Sequence, residues 1–249
     1  MMTLAHDLLL PDGKRLHTLI SGQAGSGKTY LTEKVLKSAI NDPAFGPEHR
    51  FILIDPKHEA FKGIKTVKSM APSWVERIIT RLRSGELRLE GLTPTFKWNS
   101  AKFRRSRAIL IYPDVEELDF VLHTIINDLF KQSEAPKSKF SATLILDEST
   151  MVIGPHSIHP AVKRLATQGR SRMIRGVFIS QRPISNRWLD GQVSEFVTFD
   201  PGMPQDADLL KRRWGINLDQ FGPALSAKRY SWLRVQWPGP TYSVMEPIT

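Results

Sequence analysis

Eight consecutive residues carry the first chemistry in this sequence: Gly22, Gln23, Ala24, Gly25, Ser26, Gly27, Lys28 and Thr29. They fit the pattern G-x-x-x-x-G-K-[ST] in full. Glycines let a backbone wrap a phosphate with its N–H groups turned inward, and a helix starting there adds a favourable dipole. A lysine at 28 then reaches the β- and γ-phosphates, and the Thr29 hydroxyl holds Mg²⁺. Tyr30 closes the segment. An apolar run ends at Ser21, and Leu31, Val35, Ala39 and Ile40 then share one helical face, so the loop lies between a strand and a helix.

A loop of this kind needs a carboxylate site for the metal. The run Leu144-Ile145-Leu146-Asp147-Glu148 ends an apolar strand in two acids. This places them at the carboxyl edge of an open α/β sheet, where ligands bind. Asp147 is expected to hold the metal, and Glu148 to orient or deprotonate the attacking water. Ile179-Ser180-Gln181-Arg182-Pro183 ends another apolar strand, and an amide at Gln181 can bond both a γ-phosphate and that water. The sequence has no Asn-Lys-x-Asp base-reading motif of signalling GTPases. Tyr30 stands where the last glycine of a dinucleotide fingerprint belongs. Glu148 and the lack of an acceptor-binding lid disfavour a small-molecule kinase.

The elements that must position these residues alternate. Apolar runs at 8–10 and 14–21 flank the turn Pro11-Asp12-Gly13. Strands are expected at 51–54, 107–112, 143–146, 176–180 and 196–199. Helical spacing recurs at 74–82, 118–129, 161–169 and 207–214, and 230–237 with 242–245 resembles a final hairpin. Strands separated by helices imply βαβ units around a mostly parallel central sheet flanked by helices, and Glu148 beside Asp147 points to the RecA-like branch of α/β P-loop folds. The expected organisation is one domain over 1–249, with a possible insertion at 84–107 and a C-terminal extension of the sheet at 195–249.

The chain has 249 residues, 35 basic and 25 acidic, a net charge of +10 and no cysteine. A disulfide framework, a thiolate metal site and a cysteine nucleophile are excluded. The charge favours a polyanionic partner. Residues 149–189 contain no Asp or Glu but hold Lys163, Arg164, Arg170, Arg172, Arg175, Arg182 and Arg187. Phosphates of a nucleic-acid backbone are expected ligands of such a block, with Lys163, Arg164, Arg172 and Arg175 the expected contacts. A second basic cluster lies at 102–107. Asp55, Lys57 and Glu59 line the nucleotide edge or form a local ion pair. His156 and His159, with no acid nearby in sequence, make a poor zinc site. No segment reaches the roughly 20 apolar residues of a membrane-spanning helix, and the first ten residues do not read as a secretory signal.

Taken together, the loop, Leu146-Asp147-Glu148, and Gly169-Arg170-Ser171-Arg172-Met173-Ile174-Arg175 running into Ser180-Gln181-Arg182-Pro183 resemble the FtsK/HerA family of hexameric DNA-pumping ATPases. Ile54-Asp55-Pro56-Lys57 is similar to that family's second strand. The likeness covers residues 16–183. It implies a ring that moves double-stranded DNA using ATP and Mg²⁺, with Gln181 as sensor. Arg170 best matches the finger that acts on the neighbour's nucleotide, and Arg172 and Arg175 are rivals for that role. The compact size is similar to genome-packaging ATPases of tailless icosahedral viruses with internal membranes. This implies work in the host cytoplasm or at a virion vertex, with vertex or portal proteins as partners. A cellular or plasmid translocase and a nucleotide-binding scaffold at a virion vertex are the alternatives.

Overall fold

Strands that are apolar at nearly every position are stable only where both faces are covered. The computed structural model, which describes residues 2–11, 16–57, 61, 67–70, 107–113 and 115–248, meets that requirement with one sheet and helices on both sides. In chain order its elements are α1 (Met2–Leu9), β1 (His17–Ser21), α2 (Lys28–Ile40), β2 (His49–Ile54), β3 (Val67–Met70) and β4 (Ala108–Ile111). They continue with α3 (Leu118–Glu134), β5 (Ser141–Leu146), α4 (Pro160–Gln168), β6 (Ile174–Ser180) and β7 (Val193–Thr198). The last are α5 (Pro204–Trp214), α6 (Leu218–Ser226), β8 (Trp232–Gln236) and β9 (Thr241–Met245).

The nine strands are ordered β3-β4-β2-β5-β6-β1-β7-β8-β9. The pairs from β3 through β7 are parallel, and β8 and β9 add an antiparallel end. Successive strand residues point to opposite faces. Leu19, Ile52, Leu144 and Phe178 therefore join one core with α3, α4 and α5. Their neighbours Ile20, Leu53, Ile145 and Val177 join a second core with α1 and α2. The RecA-like α/β expectation and the C-terminal hairpin are both met.

Two local readings differ, and a third group is untested. The run at 8–10 ends helix α1 rather than standing as a strand beside a turn, because Ala5, Leu8 and Leu9 share one face buried with α2. Helix α6 contains Gly222 and Pro223, which hide helical periodicity, and it went unforeseen. The expected helix at 74–82, the insertion at 84–107 and most of the 102–107 basic cluster lie outside the described residues. Of that cluster Arg107 is described, and its guanidinium donates to the Asp42 carbonyl at 2.9 Å.

Helix α1 ends on the sheet, and its last carbonyls find donors there. Thr18 Oγ1 donates to Leu8 O at 2.8 Å, Thr143 Oγ1 to Leu9 O at 2.6 Å, and Arg175 Nη1 to Leu10 O at 3.0 Å. A cation at a helix C-terminus also opposes the helix dipole. Arg175 is 1% exposed and its Nη2 donates to Thr18 Oγ1 at 2.9 Å. The expectations that it touches DNA or acts as a finger are therefore corrected. Its position on β6 lies under α1, away from solvent.

Candidate nucleotide site

The parallel strands all end at one edge of the sheet, and the candidate residues gather there because each follows a strand directly. After β1, residues 22–27 loop back and Gly27 precedes α2 with φ of 102°. That left-handed value suits glycine. Gly22 has φ of 152°, and a Cβ there would meet Phe199 Cβ at 2.7 Å. The loop therefore requires glycine at both ends. Lys28 Nζ crosses it, donating to Gly22 O at 2.6 Å and Gln23 O at 2.8 Å. Burial pushes the Lys28 ammonium below its usual range, against the pull of Asp147 and Glu148. Ser26 Oγ is buried and has no hydrogen-bond partner among the described residues. An unpaired hydroxyl inside a glycine-framed loop fits a phosphate oxygen.

After β5 comes Asp147, whose Oδ1 accepts from the Glu148 N–H at 2.9 Å. Burial raises its carboxyl to about 6, and the nearby carboxylates of Asp55 and Glu148 push the same way. A half-buried acid that resists ionising is a site where a divalent cation gains most by replacing the proton. The Thr29 hydroxyl and the Asp147 carboxylate are both hard oxygen donors, the type Mg²⁺ takes.

Glu148 adopts a left-handed backbone, φ 49° and ψ 46°, costly for a residue with a Cβ and common at functional sites. Its carboxylate is held from three directions. Lys57 Nζ, just past β2, pairs with Oε2 at 2.5 Å. Gln181 Nε2, just past β6, donates to the same oxygen at 3.1 Å, and Thr150 Oγ1 donates to Oε1 at 2.9 Å. Burial works to raise the Glu148 carboxyl, but these hydrogen bonds and the Lys57 charge outweigh it and leave it below the ordinary range. Glu148 is thus ionised at neutral pH. Lys57 stands at the nucleotide edge and pairs there with Glu148, distant in sequence, while Glu59 lies outside the described residues; Gln181 reaches the site because β5 and β6 are neighbours. Asp55 sits behind, its Oδ1 accepting from Lys57 N at 3.0 Å.

The arginines of the turn before β6 do not share that edge. Arg170 lies in the short turn Arg170–Arg172 before β6, so the length of β6, ~20 Å at the rise of a strand, separates it from Gln181. It lines a cavity of about 530 Å³ with Arg213, Trp214 and Trp237. Arg172 pairs with Glu134 at 3.3 Å, and Arg164 with Asn127 at 2.9 Å and the Phe130 ring at 4.1 Å. Lys163 sits 3.6 Å over the Trp188 ring. Arg182 is tied to Asp206 by contacts of 2.9 to 3.2 Å. The fold does supply His159 with an acid, which sequence distance concealed: its Nε2 lies 2.6 Å from Asp119 on α3. Because His159 Nδ1 accepts from Ala161 N at 3.2 Å, Nε2 carries the proton and donates to Asp119, an arrangement that caps α4.

A feature with no sequence signal completes the site. Beside Gly27 and Thr29 opens a cavity of about 520 Å³ whose other walls are Phe199, Tyr230, Trp232 and the segment Pro247–Ile248. It exists because β7 lies next to β1 in the sheet and β8 next to β7, both far from β1 in sequence.

No family model matches this chain, and no curated protein matches it in sequence. Solved structures match its fold. The genome packaging NTPase B204 from Sulfolobus turreted icosahedral virus 2, in complex with AMPPCP, superposes with a TM-score of 0.62 at 15% identity, covering 96% of this chain and 100% of its own. VirB4 of Thermoanaerobacter pseudethanolicus gives 0.60 at 12%, covering 94% and 89%. The pCW3 conjugation coupling protein TcpA with ATPγS gives 0.52 at 10%, covering 92% and 60%. The likeness establishes the fold: an α/β P-loop sheet of the RecA-like type, shared with a viral packaging NTPase and with VirB4 and TcpA.

Proposed function

We propose that this chain hydrolyses ATP to move double-stranded DNA, and that it packages a viral genome into a preformed capsid. One observation carries the catalytic half: the ionised Glu148 carboxylate, fixed by Lys57, Gln181 and Thr150 on the same edge as Lys28 and Thr29. Lys28 exchanges its loop carbonyls for the β- and γ-phosphates. Thr29 and Asp147 hold Mg²⁺, which supplies charge neutralisation on the phosphates. Glu148 orients the attacking water and takes its proton, and the Gln181 amide is placed to follow the γ-phosphate. Lys57 makes Glu148 a weaker proton acceptor and a better fixed one, so its main contribution is orientation.

The DNA half rests on the net charge of +10, the acid-free block and the fold shared with a genome packaging NTPase. In this reading six copies form a ring, and Arg170 of each acts on the next copy's nucleotide. The exposed Arg172 and the partly exposed Lys163 and Arg164 meet the DNA backbone. The work is done in the host cytoplasm, at the vertex of an assembling virion. The fold shared with a conjugation coupling protein favours a plasmid or cellular translocase as the second reading.

The test is ATP turnover with and without double-stranded DNA across a salt series. Stimulation that fades steeply with salt, and without sequence preference, is expected. Turnover indifferent to DNA would favour the vertex scaffold. For the ring, Arg170→Ala and Glu148→Gln subunits, each inactive alone, should recover activity when mixed. Full DNA-stimulated turnover by isolated monomers would exclude action in trans.

A further inference from the structure

The cavity beside the loop differs in chemistry from the phosphate side of the site. Lys28, the one charged lining residue among the described residues, is turned toward the loop carbonyls of Gly22 and Gln23. Away from the loop its walls are the rings of Phe199, Tyr230 and Trp232 and the apolar Pro247 and Ile248, with Tyr30 at the start of α2. The remaining side-chain polar groups among the described lining residues are the hydroxyls of Thr29, Tyr30 and Tyr230 and the indole N–H of Trp232. A hydroxyl rotates to donate or accept and so serves an amine edge and a carbonyl edge alike. At about 520 Å³ the cavity has the size of ordinary ligand pockets, and it continues directly from the residues that face phosphates.

Tyr230 is set there at a cost. Its φ is 69°, a left-handed backbone that a bulky side chain rarely adopts. The turn is closed by Ser231 N donating to Lys228 O at 3.1 Å. The strained turn lays the ring against the loop, with Cδ1 3.4 Å from where a Gly27 Cβ would stand. The Arg229 guanidinium lies 4.7 Å from the ring centroid. Lys228 Nζ pairs with Glu246 at 2.9 Å, joining this turn to the tail segment that forms the facing wall. Glu246, the nearest acid of that segment, is thereby engaged by Lys228. Backbone strain that presents an exposed aromatic ring to a cavity marks a ligand contact.

We propose that this cavity takes the nucleobase by stacking, chiefly on Tyr230, so that the chain accepts purine nucleoside triphosphates without distinguishing adenine from guanine. The inference rests on the nucleotide-site reading above and names its substrate class. Adenine and guanine differ in the donors and acceptors on their edges. A wall of rings and adaptable hydroxyls with a single indole N–H senses that difference weakly, since each base offers a π face. Strong discrimination requires buried polar groups that a wrong substrate would leave unpaired.

Binding of ADP, GDP and inorganic tripolyphosphate to the full chain, followed by calorimetry with Mg²⁺, tests this apart from hydrolysis. ADP and GDP should bind within about tenfold of each other. Tyr230→Ala should weaken both by roughly ten- to a hundredfold, the range of a lost base–aromatic stack, and leave tripolyphosphate unchanged. Tyr230→Phe should behave as the parent protein. GDP binding a hundredfold or more weaker than ADP would overturn the proposal. So would a Tyr230→Ala effect as large on tripolyphosphate as on ADP, because that signals a damaged loop rather than a lost stack. Nucleotide binding without turnover would sink the translocase reading and leave this inference standing. Turnover with strict selection of ATP would do the reverse.

Discussion

The same three strands build two polar clusters of opposite character. In the amino-terminal halves of β1, β5 and β6, Thr18, Thr143 and Arg175 give their donors to the closing carbonyls of α1. Beside them His17 accepts from Gly176 N at 2.8 Å and donates to Ala166 O at 3.0 Å, and burial holds it neutral, with a pKa of about 4. At the carboxyl edge, a few residues further on, the arrangement is left in tension. Glu148 is left-handed, Asp147 is pushed up to about 6, and Ser26 Oγ is without a partner among the described residues. The first cluster turns its donors chiefly to the fold. The second keeps groups in states that a bound phosphate and cation relieve. Polar burial in this protein is therefore read by whether the partners are already present.

That contrast can be broken from either side. The largest effect is expected at the edge. Glu148→Gln should lower ATP turnover by two to four orders of magnitude, on the scale of general-base catalysis, while the melting temperature stays near that of the parent. Near-parent turnover would remove Glu148 from the mechanism.

Next is acid. His17 is neutral in the fold with its pKa depressed from 6.5, so its contribution is present above about pH 6.5 and is lost as pH falls toward 4. Stability should drop by about 2–3 kcal/mol through that window from this group, at 1.36 kcal/mol per pKa unit. The slope of melting temperature against pH should flatten in His17→Asn. An unchanged slope would place the acid sensitivity elsewhere, first at His49, which burial holds down to about 3.

Removing the mid-sheet cation should cost less but fall wholly on the fold. Arg175→Met should destabilise by about 2 kcal/mol, the scale of stripping hydrogen bonds from buried acceptors. For a chain of this size that is a melting shift of roughly 4–8 °C. Turnover per folded molecule should persist. A loss of activity at full stability would reverse the assignment of Arg175.

The smallest effect sharpens the edge cluster. Lys57 holds the Glu148 carboxyl down, so Lys57→Met should move the acid limb of the pH–rate profile to higher pH and leave the rate on the neutral plateau less affected. Lys57→Arg should restore the profile. An unshifted limb would mean that Lys57 does not hold Glu148 during turnover.

Much of this site was legible in one dimension because its residues are tied to local events. The loop from Gly22 to Thr29 must join a strand to a helix, and Asp147, Glu148 and Gln181 each follow an apolar run directly. Strand ends at a shared edge need only the α/β rule to be brought together. The tertiary structure alone decided matters that turn on which strands are neighbours and which face a side chain takes. Arg175 and Arg170 belong to one basic segment, yet the first is buried under α1 and the second is exposed at the far edge, because β6 is covered on both faces and the turn before it is not. His159 gains Asp119 from α3, and Lys57 gains Glu148 from β5, through pairings of elements with no mark in local spacing. The wall of Phe199, Tyr230 and Trp232 beside the loop exists because the chain returns to place β7 next to β1 and β8 next to β7. Local sequence determines which groups stand at the end of a strand. The order of the strands determines which groups face each other, and that order is set by burying both faces of the sheet at once.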